Sequence, residues 1–256
     1  MQTTILMYHA VRTSGGGALN PHCISERNFR GQMRQLEDSG RPVLPWPQLS
    51  TGREGSAPAV GVTFDDANHS DIACSRVLEH FGYSALFFVP TEYIDQAGRL
   101  AKSDIADLWR RGMGIGSHGH QHVPLVHLGD SQLAEDLARS KAILEDIVGA
   151  PVEHLSFPAG SYDRRVLSVA RTIGFKCFYT SEWGSNSARE MASGVLRRVP
   201  VVDGLCIEAF NDIVEARHRW SKQAQFHLKE LAKRALGERN YLRMRRALAS
   251  RRSVAD

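Results

Sequence analysis

Two adjacent carboxylates, Asp65 and Asp66, stand directly after the hydrophobic run Val62-Thr63-Phe64. Successive strand residues point to opposite faces, so at a strand end one carboxylate can hold a cation while its neighbour accepts a proton. A solvated turn or a helix N-cap pair would use the same two residues. Three histidines fall within five residues in Gly116-Ser117-His118-Gly119-His120-Gln121-His122. Imidazoles four apart lie on one side of a helical turn, so His118 and His122 can give nitrogen to one metal while His120 points away. Asp66 can supply an oxygen, making two nitrogens and one carboxylate with positions left for water, the composition of a catalytic zinc site. Co²⁺, Ni²⁺ or Fe²⁺ would fit the same shell.

Two more segments carry weaker signals. Ser156-Phe157-Pro158-Ala159-Gly160 reads as a strand followed by a tight turn, which can expose the Ala159 N–H toward a developing oxyanion. Pro-x-Gly is also an ordinary turn. His9 ends the run Leu6-Met7-Tyr8 and can protonate a leaving group while Asp65 holds the proton taken from water. Alone, it could equally be a core or capping histidine.

The elements that must position these groups alternate along the chain. Strands are expected at 4–8, 60–64, 85–89, 113–117, 154–157, 176–180 and 195–202, and helices at 72–81, 103–111, 131–148 and 164–173. Ser25 can cap a further helix to about Ser39, where Phe29, Met33 and Leu36 share one face and Gly40 ends the run. About seven β/α repeats predict an α/β fold, a distorted (β/α)7 barrel, whose strand-end loops share one rim.

The 256 residues are 42% hydrophobic and 23% charged, typical of a globular enzyme, and no apolar run approaches the roughly 20 residues of a membrane span. The first residues carry neither a basic leader nor a cleavage site, and Cys23, Cys74, Cys177 and Cys206 lie far apart, so a cytoplasmic protein with free thiols is expected. The net charge of +4 is uneven: residues 217–256 hold twelve Lys and Arg against three Asp and Glu. A catalytic domain over 1–206 with a basic helical appendage at 207–256 is therefore expected, the appendage lying off the core. Its charge suits anionic membrane more than nucleic acid, because aromatic residues are sparse there and no nucleic-acid motif occurs.

Taken together, Thr63-Phe64-Asp65-Asp66, His118-Gly119-His120-Gln121-His122 and Pro158-Ala159-Gly160 resemble the polysaccharide deacetylase family, carbohydrate esterase family four, over roughly residues 3–202. The resemblance implies Asp65 as general base, Asp66, His118 and His122 as metal ligands, and Ala159 as the oxyanion-binding amide. The family's late Leu-x-His motif is absent, since Leu205-Cys206-Ile207-Glu208 stands there. Met7-Tyr8-His9-Ala10-Val11 is similar instead to the circularly permuted branch, the poly-N-acetylglucosamine deacetylases, which implies that His9 is the acid. Gly119 replaces a common Ser or Thr and Ala159 a common Tyr. The family arginine before the Pro-Gly turn is also missing, leaving Arg197 or Arg198 to orient Asp65. The implied activity is zinc-dependent removal of an N-acetyl group from an amino sugar in a polymeric, oligomeric or lipid-linked glycan. A deacylase of non-sugar amides and a non-catalytic carbohydrate-binding protein are the alternatives, the latter gaining if His9 faces away from the metal.

Overall fold

The computed structural model describes residues 2–12, 22–51 and 58–216. Its main sheet is built from β1 (Gln2–Tyr8), β4 (Ala59–Asp65), β5 (Leu86–Val89), β6 (Gly114–Ser117), β7 (His154–Ser156), β8 (Cys177–Tyr179), β10 (Val195–Leu196) and β11 (Val199–Pro200). They run in parallel in the order β10-β8-β7-β6-β5-β4-β1-β11. A short β9 (Asn186–Ser187) pairs antiparallel with β1, and β2 (Ala10–Arg12) with β3 (Cys23–Ser25) form a separate two-stranded ribbon. The helices between strands are α1 (Glu26–Asp38), α2 (Gln48–Thr51), α3 (Asp71–His80), α4 (Lys102–Arg110), α5 (Asp130–Val148), α6 (Arg164–Ile173) and α7 (Ala188–Ser193), and α8 (Ile207–Val214) follows β11. This is the expected α/β barrel, nearly closed.

Burial explains the strand sequences. All seven residues of β4 are buried, so the strand reads as a continuous apolar run rather than an alternating one. Its residues still divide by face. Val60, Val62 and Phe64 join the large core that also holds Phe29, Leu78, Leu108 and Leu137 from the helices. Ile5, Ala59, Leu86, Phe88, Cys177, Tyr179 and Leu196, the alternate residues of the same strands, form a second core with Trp46 packed against it. Asp65 shares the parity of Ala59 and therefore faces the second core's side, at the C-terminal end of β4. Gly116 leaves room there: a Cβ would stand 2.6 Å from the Phe88 ring.

The predicted helix at 25–39 forms as α1, with the Ser25 hydroxyl accepting the Asn28 N–H, and buries Phe29, Met33 and Leu36. Its buried Gln32 accepts the Tyr8 hydroxyl at 3.0 Å. The strand expected at 195–202 is broken in two. Val195 and Leu196 pair with β8, whereas Val199 pairs with Leu6 of β1. One strand thus serves two neighbours across the closure of the barrel, and Arg197 and Arg198 occupy the crossing.

A second difference lies at Ile207–Val214. The expectation that the chain leaves the core here does not hold for α8, where Phe210, Ile213 and Val214 are buried in the main core and the helix packs on α1. Their i, i+3, i+4 spacing makes one apolar stripe. The remainder of the expected basic appendage, residues 217–256, lies outside the described residues. Among the described residues no helix is long and apolar enough to cross a membrane.

Candidate active site

Strand ends and the turns after them converge at the C-terminal rim of the barrel. Asp65 is 2% exposed at the end of β4, and Arg198, fully buried, holds it from the strand crossing. The guanidinium donates to Oδ1 at 2.7 Å and to Oδ2 at 2.8 Å. It also donates to the Ser156 hydroxyl at 2.7 Å, which in turn donates to Asp65 Oδ2 at 3.2 Å. Burial alone would push the Asp65 carboxyl up. Arg198, and then His118, outweigh it and hold the group below the ordinary carboxylate range. Asp65 is an anion at neutral pH, oriented on both oxygens. Arg197 points elsewhere, to Glu190 at 2.9 Å and Glu182 at 3.8 Å, so Arg198 is the arginine of the two that orients Asp65.

Asp66, one residue on, has turned away from the strand at φ +80°. Its Oδ1 lies 3.1 Å from His122 Nε2 and 3.6 Å from His118 Nε2. Among the described residues, Asp66, His118 and His122 form a group whose donor atoms lie within 4.8 Å of one another. Both imidazoles are fixed from behind. His118 Nδ1 donates to the Ser156 carbonyl at 2.9 Å, and His122 Nδ1 meets the Tyr93 hydroxyl at 3.1 Å. That leaves each Nε2 facing Asp66, the arrangement by which outer partners orient metal-binding histidines. Burial pushes His118 down, against the pull of Asp65 and Asp66, so it is neutral and able to ligate. Two nitrogens and one carboxylate oxygen at this spacing fit a divalent cation.

Arg99 ties Asp66 to the same loop. It donates to the Asp66 carbonyl at 2.8 Å and lies over the Tyr93 ring at 4.5 Å. His120 points away from the group, as expected, with Nδ1 2.8 Å from the Thr91 hydroxyl.

Ala159 also adopts a left-handed conformation, φ +55°, in the turn after Phe157. The Gly160 and Ser161 amides fold back onto the Phe157 and Pro158 carbonyls. Asp66, His122 and Ala159 are thus all non-glycine residues at positive φ, a conformation that costs an L-residue on the order of 1 kcal/mol and concentrates at functional sites.

His9 follows β1 and is close enough to Asp65 and Asp66 to feel both carboxylates. Burial lowers its pKa, the two carboxylates raise it, and His22 and Arg198 lower it. The His22 ring lies 4.8 Å from that of His9. His9 thus lies within electrostatic reach of Asp65 and Asp66, while His118 and His122 stand directly against Asp66.

A polysaccharide deacetylase family model matches residues 52–178, which contain Asp65, Asp66, His118, His122 and the Ala159 turn. Over these residues the chain is similar to the polysaccharide deacetylase family. It is 28% identical over 219 residues to YxkH of Bacillus subtilis (strain 168), which carries a provisional polysaccharide deacetylase name, covering 83% of this chain and 76% of that protein. The fold matches the polysaccharide deacetylase BC0361 from Bacillus cereus with a TM-score of 0.75 at 24% identity, over 84% of this chain and 69% of that one. IcaB from Ammonifex degensii superposes with a TM-score of 0.72 at 23% identity, over 85% of this chain and 97% of that one.

Within this family fold, four residues around the site carry no separate signal in the sequence. Ser156 sits in a segment notable for its turn, and Tyr93 and Arg99 lie in the loop after β5, a strand-end loop of the kind that lines barrel sites. His22 is separated from His9 by twelve residues of connecting chain. Its proximity follows from the β2 and β3 pairing, which places Val11 beside Ile24.

Proposed function

We propose that the protein removes the N-acetyl group from an N-acetylated amino sugar within a polysaccharide, oligosaccharide or lipid-linked glycan, with Zn²⁺ held by Asp66, His118 and His122. The observation that carries this reading is a buried, arginine-clamped carboxylate, Asp65, 3.9 Å from the Nε2 of a histidine in an Asp/His/His group. When bound, the cation polarises the acetamide carbonyl and acidifies a water.

The chain's own groups do the rest. Asp65 accepts the proton of the attacking water, as its depressed pKa and fixed orientation permit. Arg198 and Ser156 keep its oxygens in place. The Ala159 N–H supports the oxyanion in the turn beside Ser156. His9 supplies the proton to the departing amine as the C–N bond breaks, giving acetate and a free amino sugar. The pull of both carboxylates on His9 supports its taking, from the end of the first strand, the place of the acid missing from the late part of the sequence.

The test is acetate release from an N-acetylglucosamine oligomer by the zinc-loaded protein beside Asp65→Asn. Release abolished in the variant is expected, and none from the parent with one zinc bound would overturn the sugar deacetylase reading. A cytoplasmic setting and contact of residues 217–256 with anionic membrane complete the proposal. Equal liposome flotation of the full chain and of one ending at residue 216 would remove the membrane contact.

A further inference from the structure

The loop between the two histidine ligands is gripped by a helix that contributes nothing to the site itself. Asp136, on α5, is 5% exposed, and its two oxygens accept consecutive backbone amides, His120 N–H at 2.8 Å and Gln121 N–H at 2.9 Å. One turn along α5, Ser140 hydrogen-bonds to Ser117, whose hydroxyl accepts the Gly119 N–H at 3.0 Å. The opposite side of the loop is tied as well: the Gly119 and His120 carbonyls accept the Thr91 and Glu92 amides at 3.2 and 3.0 Å. Gly119 stands at φ +73°, and a Cβ there would lie 3.0 Å from Asp136 Oδ1. The carboxylate and the loop are thus in close approach along three successive residues, all of them between His118 and His122.

We propose that Asp136 is a positioning residue that sets the separation of His118 and His122 and so the metal affinity of the site. This rests on the reading of Asp66, His118 and His122 as metal ligands. Only a carboxylate meets the geometry. Two parallel amides need two acceptor oxygens, and Asn would offer one oxygen and turn an NH₂ toward the second N–H. With one amide released, the loop can rotate about Gly119, and His122, already in a left-handed conformation, loses its fixed place opposite His118.

The experiment measures zinc affinity by chelator competition on the full chain, with Asp136→Asn, Asp136→Ala, Asp136→Glu and Leu133→Ala. Leu133, fully buried on the same helix, controls for a general loss of stability. Asp136→Asn and Asp136→Ala are expected to weaken zinc binding ten- to a hundredfold, the range for partners behind a metal ligand, while Leu133→Ala stays within threefold of the parent. Asp136→Glu, which keeps both acceptor oxygens, should recover part of the loss and serves as the folded comparison if the alanine variant does not fold. The Co²⁺ visible spectrum should change in Asp136→Asn and not in Leu133→Ala. Affinity within threefold of the parent in both Asn and Ala variants, or an equal loss in Leu133→Ala, would overturn the proposal. A parent that binds no zinc would instead overturn the ligand reading, and the role of Asp136 with it.

Discussion

The Arg198 guanidinium meets both carboxylate oxygens of Asp65 at 2.7 and 2.8 Å, with neither residue more than 2% exposed. Such a buried pair is weak evidence for stability, because desolvating both charges offsets most of their attraction, but removing one partner strands the other. Arg198→Met should therefore destabilise the protein by about 3–5 kcal/mol in urea unfolding. It should also move the acid limb of kcat/KM to higher pH, since the largest influence depressing the Asp65 carboxyl is gone. An unchanged limb would argue that Asp65 is not the base.

Loss of the base and loss of the metal are separable failures. Asp65→Asn should retain zinc and lower kcat by roughly 10²–10⁴-fold. His118→Ala should lose both zinc and activity. Metal analysis of the two purified variants, beside acetate assays, distinguishes them.

The Tyr93 hydroxyl sits 3.1 Å from His122 Nδ1, and its ring carries Arg99. Tyr93→Phe keeps the ring and removes the hydroxyl. Zinc affinity should fall by about tenfold with the melting temperature nearly unchanged. A competition titration beside a thermal melt checks both halves.

Stability should vary with pH through a residue remote from the rim. His154 is pushed down to about 4 by burial, against the pull of Glu153, and its Nδ1 lies 3.0 Å from the Tyr179 hydroxyl. Above pH 6.5 the imidazole is neutral both folded and unfolded and contributes no pH dependence. Between 6.5 and 4 the unfolded chain takes up a proton that the folded one refuses, so stability falls with acidification by about 3 kcal/mol in all. The double variant His154→Phe/Tyr179→Phe should lose that share of the slope when urea unfolding is compared at pH 7, 6, 5 and 4.

Much of the rim was legible because its signals are local. Asp65-Asp66 and the histidine cluster each pair a strand with residues suited to metal and proton chemistry, and a few consecutive positions suffice to show it. Arg197 and Arg198 could not be told apart in that way. They face different surroundings, and which one turns inward depends on how 195–200 divides its pairing between β8 and β1. Tyr93 and Asp136 act on a segment about 30 and 15 residues away, respectively, through tertiary contacts that no periodicity encodes. α8 was obscured by the basic composition of residues 217–256, although Phe210, Ile213 and Val214 already carried the apolar stripe.

The split closing strand also imposes a timetable on synthesis. His9, Asp65, Asp66, His118 and His122 have all left the ribosome's catalytic centre before Arg198 is added, 76 residues after His122. The contact that seals the barrel joins Leu6 to Val199, nearly the full span of the domain, and pairings of such separation are slow to form. Asp66, His118 and His122 are thus all present in a growing chain before Asp65 has its guanidinium. The two hydrogen bonds from Arg198 to Asp65 can form only after this closing segment has been made.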